Sequence, residues 1–173
     1  ARLCGIEDTH YVEKALELER VVKERYIDPS GYCTVNEQCS VAMLIYYGIY
    51  DELAPLKEQL KLLMEENGFH LRCGMVGMRR LTHALTKCGL AEYALRLLKA
   101  EGYPGYKVWM DGGATTLWEK WDIHTISDSK NHHMYSDFMS WFIKTLAGIS
   151  INEDKPGALE FVLNPDFVSE LDS

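Results

Sequence analysis

An all-α fold of helical hairpins that gives way to β structure near the C-terminus follows from three observations in the sequence. Apolar residues recur at three- and four-residue steps over most of the chain up to Gly148. Glycines and prolines punctuate these runs at intervals suited to short links between neighbouring helices. Beyond Gly157 the apolar period changes to two, as on one face of a strand.

In chain order, Val12, Ala15, Leu18, Val22 and Tyr26 make one stripe of a first helix, which Pro29-Ser30-Gly31 breaks. Thr34-Val35-Asn36-Glu37 reads as a capping box, in which hydroxyl and carboxylate satisfy orphan N–H groups reciprocally. The helix it opens carries Val35, Cys39, Ala42, Tyr46 and Ile49 on one face. Pro55 suits a first turn, so a third helix is predicted to begin there. It runs through Leu56, Leu60, Leu63 and Met64 and stops at Asn67-Gly68. The glycine-punctuated link from His70 to Gly77 follows, with Gly74 and Gly77 read as turn-permitting positions. Next comes a tight hairpin: one helix with Leu81, Leu85 and Cys88 ending at Gly89, another with Leu90, Ala94, Leu97 and Leu98 ending at Gly102.

From Gly102 to Asn131 no apolar period is sustained. A loop that long inside a domain is usually functional or disordered, and its aromatic content argues against disorder. A last helix carries Tyr135, Phe138, Met139, Phe142 and Leu146 and closes at Gly148. After the run Asn152 to Gly157, Leu159, Phe161 and Leu163 alternate as a strand. One strand cannot satisfy its own edges, so the sequence reads as cut. No self-similarity at fixed period supports a repeat array.

Composition narrows the classes. With 173 residues, 47% of them apolar and 25% charged, the chain is sized and balanced for about one globular domain. A net charge of −8 opposes a phosphate-backbone partner, so no nucleic acid is expected. No apolar run reaches membrane-spanning length, and the first residues do not resemble a signal peptide. Five cysteines, widely spaced and without a C-x-x-C pair, predict reduced thiols in a reducing compartment, taken as the cytoplasm, rather than a disulfide frame or zinc site.

The stretch richest in chemistry is Asp111-Gly112-Gly113-Ala114-Thr115-Thr116-Leu117-Trp118-Glu119-Lys120-Trp121-Asp122. Two of the four tryptophans fall within four positions, with Glu119 between them. Indole faces stack on the apolar face of a sugar ring, and a carboxylate beside them is a candidate for proton transfer. The plainer alternative is a loop whose tryptophans plug a core beside a solvated glutamate. Asp122 could orient Glu119 or bind a sugar hydroxyl, although an exposed loop acid is the commoner role. Thr115 and Thr116 suit hydroxyl-to-backbone bonds that hold the loop. His132 could contact a polar ligand, but singly it is more often a surface or capping histidine, and His132-His133 is a poor metal pair. Arg79 and Arg80 read as a solvated helix face.

Together these stretches resemble the bacterial α-L-rhamnosidase family of inverting glycoside hydrolases. Gly113-Ala114-Thr115-Thr116-Leu117-Trp118-Glu119 with Trp121-Asp122 looks like the family's G-A-T-T-x-W-E-x-W-D loop. Gln38 in a T-x-x-x-Q helix opening, Gly74-Met75-Val76-Gly77 with Leu81 and Leu85, Gly148-Ile149 and Pro156-Gly157 occur in the family's order. Departures lie in Ser127-Asp128-Ser129-Lys130-Asn131-His132-His133-Met134-Tyr135-Ser136, where Lys130 replaces an aromatic residue, and at Met78, where Thr is common.

The resemblance implies that residues 1–150 form part of an (α/α)6 barrel and that 151–173 are a linker and the start of a C-terminal β-domain. It implies hydrolysis of a terminal α-L-rhamnoside with inversion, Glu119 as general base, and Trp118, Trp121, His132 and Asp122 at the sugar. No metal or other cofactor is required. An inverting hydrolase needs two carboxyl groups about 6.5–9.5 Å apart. Nothing before Glu119 resembles the family's acidic motif, so the chain alone is expected to be inactive. Two alternatives stay open: a hydrolase of the same toroid acting on another sugar, and a non-catalytic helical-hairpin interaction module. Exposed hairpin faces predict self-association.

Overall fold

The computed structural model describes residues 4–124, 128–152, 155 and 157–171. Ser127 and Pro156, both singled out in the sequence, lie outside the described residues. Helices α1 (Thr9–Tyr26), α2 (Gln38–Tyr47), α3 (Leu53–Glu66), α4 (Met75–Lys87) and α5 (Ala91–Lys99) are followed by a short α6 (Tyr106–Asp111). A 3-10 turn (His133–Tyr135) leads into α7 (Phe138–Trp141), which widens into a π turn over Phe142–Leu146. Strands β1 (Ile149–Ile151) and β2 (Phe161–Leu163) pair antiparallel, with Ser150 opposite Val162.

The core forms where α2 meets α4, its most extensive contact. Val41, Ala42 and Ile45 of α2 and Met78, Leu81, Ala84 and Leu85 of α4 are fully buried. Gly77 makes the approach possible. A Cβ there would lie 2.6 Å from Cys39 Sγ and 2.6 Å from Cys73 Cβ, closer than real contacts allow. The sequence reading of Gly77 as a turn is thus corrected: it sits inside α4, and its role is close packing. Gly74 likewise has no left-handed backbone, with φ −76°.

Two buried glutamines tie the connections to this core. The Gln38 side chain donates to His70 O at 3.0 Å and accepts from Arg72 N–H at 2.8 Å. Gln59 accepts from Cys33 N–H at 2.8 Å and donates to Cys33 O at 2.9 Å. The Gln59 amide satisfies both backbone groups of buried Cys33, and the Gln38 amide does the same for the part-buried link at His70 and Arg72.

Several local expectations are revised. The capping box does not form: α2 begins at Gln38 with Glu37 as its cap residue, and the Thr34 hydroxyl donates to Tyr26 O at 3.3 Å. Val35 therefore lies outside the helix, and so does Ile49, because α2 stops at Tyr47 where Gly48 turns left-handed at φ +74°. Helix α3 starts at Leu53, which places Pro55 within a first turn that needs no N–H there. The single last helix is replaced by the broken sequence of 3-10, α and π turns. The lone strand has a partner in β1, a segment just past the Gly148 helix end that carried no strand expectation. The apolar stripe of α1 is largely uncovered, and none of its residues is buried.

Helix α7 is fixed from below. Trp141, fully buried, donates its indole N–H to Thr86 Oγ1 of α4 at 2.8 Å. His83 Nε2 lies 3.5 Å from Asp137 Oδ2. Past Gly148, whose φ of +64° and contact with Asn164 and Pro165 leave no room for a side chain, the tail turns back. Asp166 N–H donates to Thr145 O at 3.0 Å, and Val168 is buried. Glu170 then pairs with Arg96 and Lys99 of α5 at 3.1 and 3.2 Å.

Gly77→Ala is expected to destabilise the chain by about 1–3 kcal/mol through overpacking, read as a lower urea midpoint at unchanged slope. Burial pushes the His83 imidazole below its ordinary value, more than Asp137 draws it up, with Lys144 and Arg80 adding to the lowering. The folded chain thus favours neutral His83, and its contribution is complete above an ordinary histidine pKa and lost as pH falls below it. The denaturation midpoint is expected to drop from pH ~7 to ~5, and to drop less in His83→Gln.

Candidate active site

The site loop starts where α6 ends. Tyr106 and Trp109 of α6 are buried, and Gly113, at φ +78°, turns the chain out of the helix. Ala114 N–H closes that turn on Trp109 O at 2.8 Å. The loop then folds back on itself. His132 N–H donates to Leu117 O at 2.7 Å, and Glu119 N–H donates to Ser129 O at 2.9 Å. The Thr116 hydroxyl donates to Lys130 O. The expectation that threonine hydroxyls hold the loop thus describes Thr116, and both Thr115 and Thr116 line a neighbouring groove.

Glu119 is half-buried, and its Oε2 accepts from Ser129 N–H at 3.2 Å. Residues 119 and 129 are therefore joined twice, once through the backbone and once through the carboxylate. One carboxylate oxygen is committed to the loop in this way, which orients the group.

The two flanking tryptophans do different things. Trp118 is half-buried, and the Lys130 ammonium sits 4.3 Å from its ring centroid. Trp121 belongs to an aromatic cluster. It stacks on Trp109 with centroids 4.1 Å apart and planes 15° from parallel, and it meets Tyr106 edge-on at 5.1 Å. Tyr135 leans on it at 4.6 Å. The Tyr106 hydroxyl donates to Tyr135 O at 2.7 Å, and burial raises the Tyr106 phenol well above its ordinary pKa. The Trp109 indole N–H donates to Lys120 O at 2.8 Å, so the cluster grips the residue between Glu119 and Trp121.

Asp122 is exposed, and its Oδ1 accepts from His124 N–H at 2.9 Å. His132 is half-buried, and its Nδ1 accepts from Met134 N–H at 3.2 Å. An accepting Nδ1 puts the proton of a neutral imidazole on Nε2, which leaves a donor for a ligand. The His132 and His133 rings lie nearly parallel at 5.5 Å. Lys120 is paired with Asp128 at 2.8 Å, which raises its pKa.

A groove of about 410 Å³ runs beside the loop, walled by Leu95, Leu98, Leu117, Phe138 and Phe142. Glu119 is not among its lining residues. Among the described residues, no group of three or more His, Cys, Asp or Glu side chains is placed to hold a metal ion, and no helix is long and apolar enough to cross a membrane. Sequence reasoning missed Tyr106 and Trp109 because α6 is short. Their signal was the spacing of Tyr106, Trp109 and Met110 after Gly105, a single helical turn.

The family model described as the bacterial alpha-L-rhamnosidase 6 hairpin glycosidase domain matches residues 1–146. An alpha-L-rhamnosidase of Alteromonas sp. (strain LOR) is 26% identical over 93% of this chain and 19% of its own length. One of Formosa agariphila is 32% identical over 63% of this chain and 12% of its own. The crystal structure of the Streptomyces avermitilis alpha-L-rhamnosidase complexed with L-rhamnose superposes with a TM-score of 0.86 at 24% identity, over 96% of this chain and 17% of that one. The structure of the alpha-L-rhamnosidase from Dictyoglumus thermophilum gives 0.84 at 26% identity, over 96% and 20%. The chain spans less than a fifth of the curated relatives it matches. Its helical hairpins are part of the six-hairpin fold, as the sequence predicted.

The unequal settings of the two tryptophans predict unequal costs. Trp121→Ala should lower the unfolding free energy by about 3 kcal/mol, and Trp118→Ala by about 1 kcal/mol or less. Equal losses in chemical denaturation would contradict the placement described.

Proposed function

The chain belongs to the bacterial α-L-rhamnosidase six-hairpin glycosidase family, and we propose that it supplies the water-activating half of a site hydrolysing terminal α-L-rhamnosides with inversion. The observation that carries this reading is the clasp on Glu119. The carboxylate lies in the one loop that matches the family's motif, and its backbone and one oxygen are both fixed on Ser129. A base that must aim at one water gains from such orientation, because positioning is a large part of general-base catalysis.

In this mechanism Glu119 takes a proton from water while the water oxygen bonds to the anomeric carbon. The glycosidic C–O bond breaks on the opposite face, and an acid protonates the departing oxygen. That acid comes from outside these 173 residues, about 6.5–9.5 Å from Glu119. His132 offers its Nε2–H to a sugar hydroxyl, Trp118 offers an indole face, and Asp122 offers its carboxylate at the rim. Trp121 serves by holding the loop against α6.

In a full-length protein containing these residues, Glu119→Gln is expected to cut kcat on an aryl α-L-rhamnoside about a thousandfold with little change in KM. The first sugar released should be the β-anomer by NMR. The 173-residue chain alone should show no turnover. Undiminished activity of Glu119→Gln would remove Glu119 from the role of base.

A further inference from the structure

We infer that Trp109, a buried residue of α6 outside the site loop, is a positioning residue that sets where Glu119 stands. Its indole has two attachments to the loop, both immediately after Glu119. The N–H donates to Lys120 O at 2.8 Å, one residue after Glu119. The ring stacks on Trp121 at 4.1 Å, two residues after it. Trp109 itself cannot shift easily: it is 2% exposed, and Tyr106 packs against it edge-on at 5.7 Å. Tyr106 is held in turn by its bond to Tyr135 O. Position therefore passes from the core through one side chain to the peptide between Glu119 and Trp121. On the other side the loop bonds to its own returning segment, through Ser129, Lys130 and Leu117.

Removing the indole N–H while keeping an aromatic ring should free the Lys120 peptide and let Glu119 drift. Displacements of about 1 Å at a catalytic group cost roughly a hundredfold in rate. The fold supplies an internal control. Trp141 is also buried and also donates one indole bond at 2.8 Å, but to Thr86 of α4, away from the loop. Trp109→Phe and Trp141→Phe thus delete the same kind of bond from the same core, and only the first touches the loop.

The inference rests on the reading of Glu119 as base, and two measurements keep the two separable. The first uses this chain and needs no activity. Amide exchange of Glu119 and His132, which bond to Ser129 O and Leu117 O, should quicken at least tenfold in Trp109→Phe and stay at the wild-type rate in Trp141→Phe. The second uses a full-length protein containing these residues. There kcat should fall roughly tenfold to a hundredfold in Trp109→Phe at nearly constant KM, with kcat of Trp141→Phe at the wild-type value. Unchanged exchange in Trp109→Phe, or equal losses of kcat in both variants, overturns the positioning role. So does a wild-type kcat beside fast-exchanging amides. Activity retained by Glu119→Gln instead overturns the assignment of the base, and leaves the exchange result as evidence on the loop alone.

Discussion

The absence of a side chain at Gly77 is the constraint on which the remaining structure hangs. Helix α4 lies on α2 at a distance that a single methyl group at this position would prevent, because Cys39 and Cys73 occupy the space. From α4 so placed, Thr86 receives the Trp141 indole and His83 faces Asp137. Those two contacts set α7, and α5 follows α4 through the turn at Gly89. The groove walls on α5 and α7 are thus spaced by a contact made two helices away. The dispersion and burial gained along α2 and α4 depend on it, since interiors do not absorb an extra methylene without strain.

The candidate site is built on a different principle. Among its described residues the loop has no helix or strand of its own, yet much of it is bonded to another segment or to the aromatic cluster beneath. Stacked and edge-on rings confine one another in ways aliphatic contacts do not, because the quadrupoles select orientation as well as distance. Trp121 belongs to that cluster and Trp118 does not, so two residues that look equivalent in sequence divide into a support and a surface. Lys130 sits on that surface. Any ring that stacks on the same face of Trp118 must first displace its ammonium.

Much of the architecture was legible in the residues. The helices from α1 to α5 follow from periodicity, the ends of α3 and α4 from glycine and asparagine, and the fold from a family resemblance that the comparisons bear out. What was not legible has local causes. The α2 start was misplaced because the Thr34 hydroxyl donates to Tyr26 O instead of accepting from a helix N–H, a tertiary contact invisible to a four-residue pattern. Helix α6 was hidden because six residues carry too few turns for a period to register. Strand β1 was missed because Ile149-Ser150-Ile151 takes strand form only once Phe161-Val162-Leu163 pairs with it. The loop was recognised, but its clasp could not be, because Ser129 lies ten residues from Glu119 and nothing in either segment announces the other. The roles of Glu119, Trp118, Asp122 and His132 remain a matter of chemistry rather than of fold.

The tail past β2 latches onto α5 in two chemically distinct halves. Val168 is held by burial, which dissolved ions hardly affect. Glu170 is held by Arg96 and Lys99 at solvent-accessible ion pairs, whose attraction fades once the Debye length falls to a few ångströms. Raising ionic strength should therefore peel the last residues while leaving the hydrophobic anchor seated. The latch comes away in stages: the ion pairs that reach Lys99, itself on the groove wall, loosen first, and the buried valine stays seated.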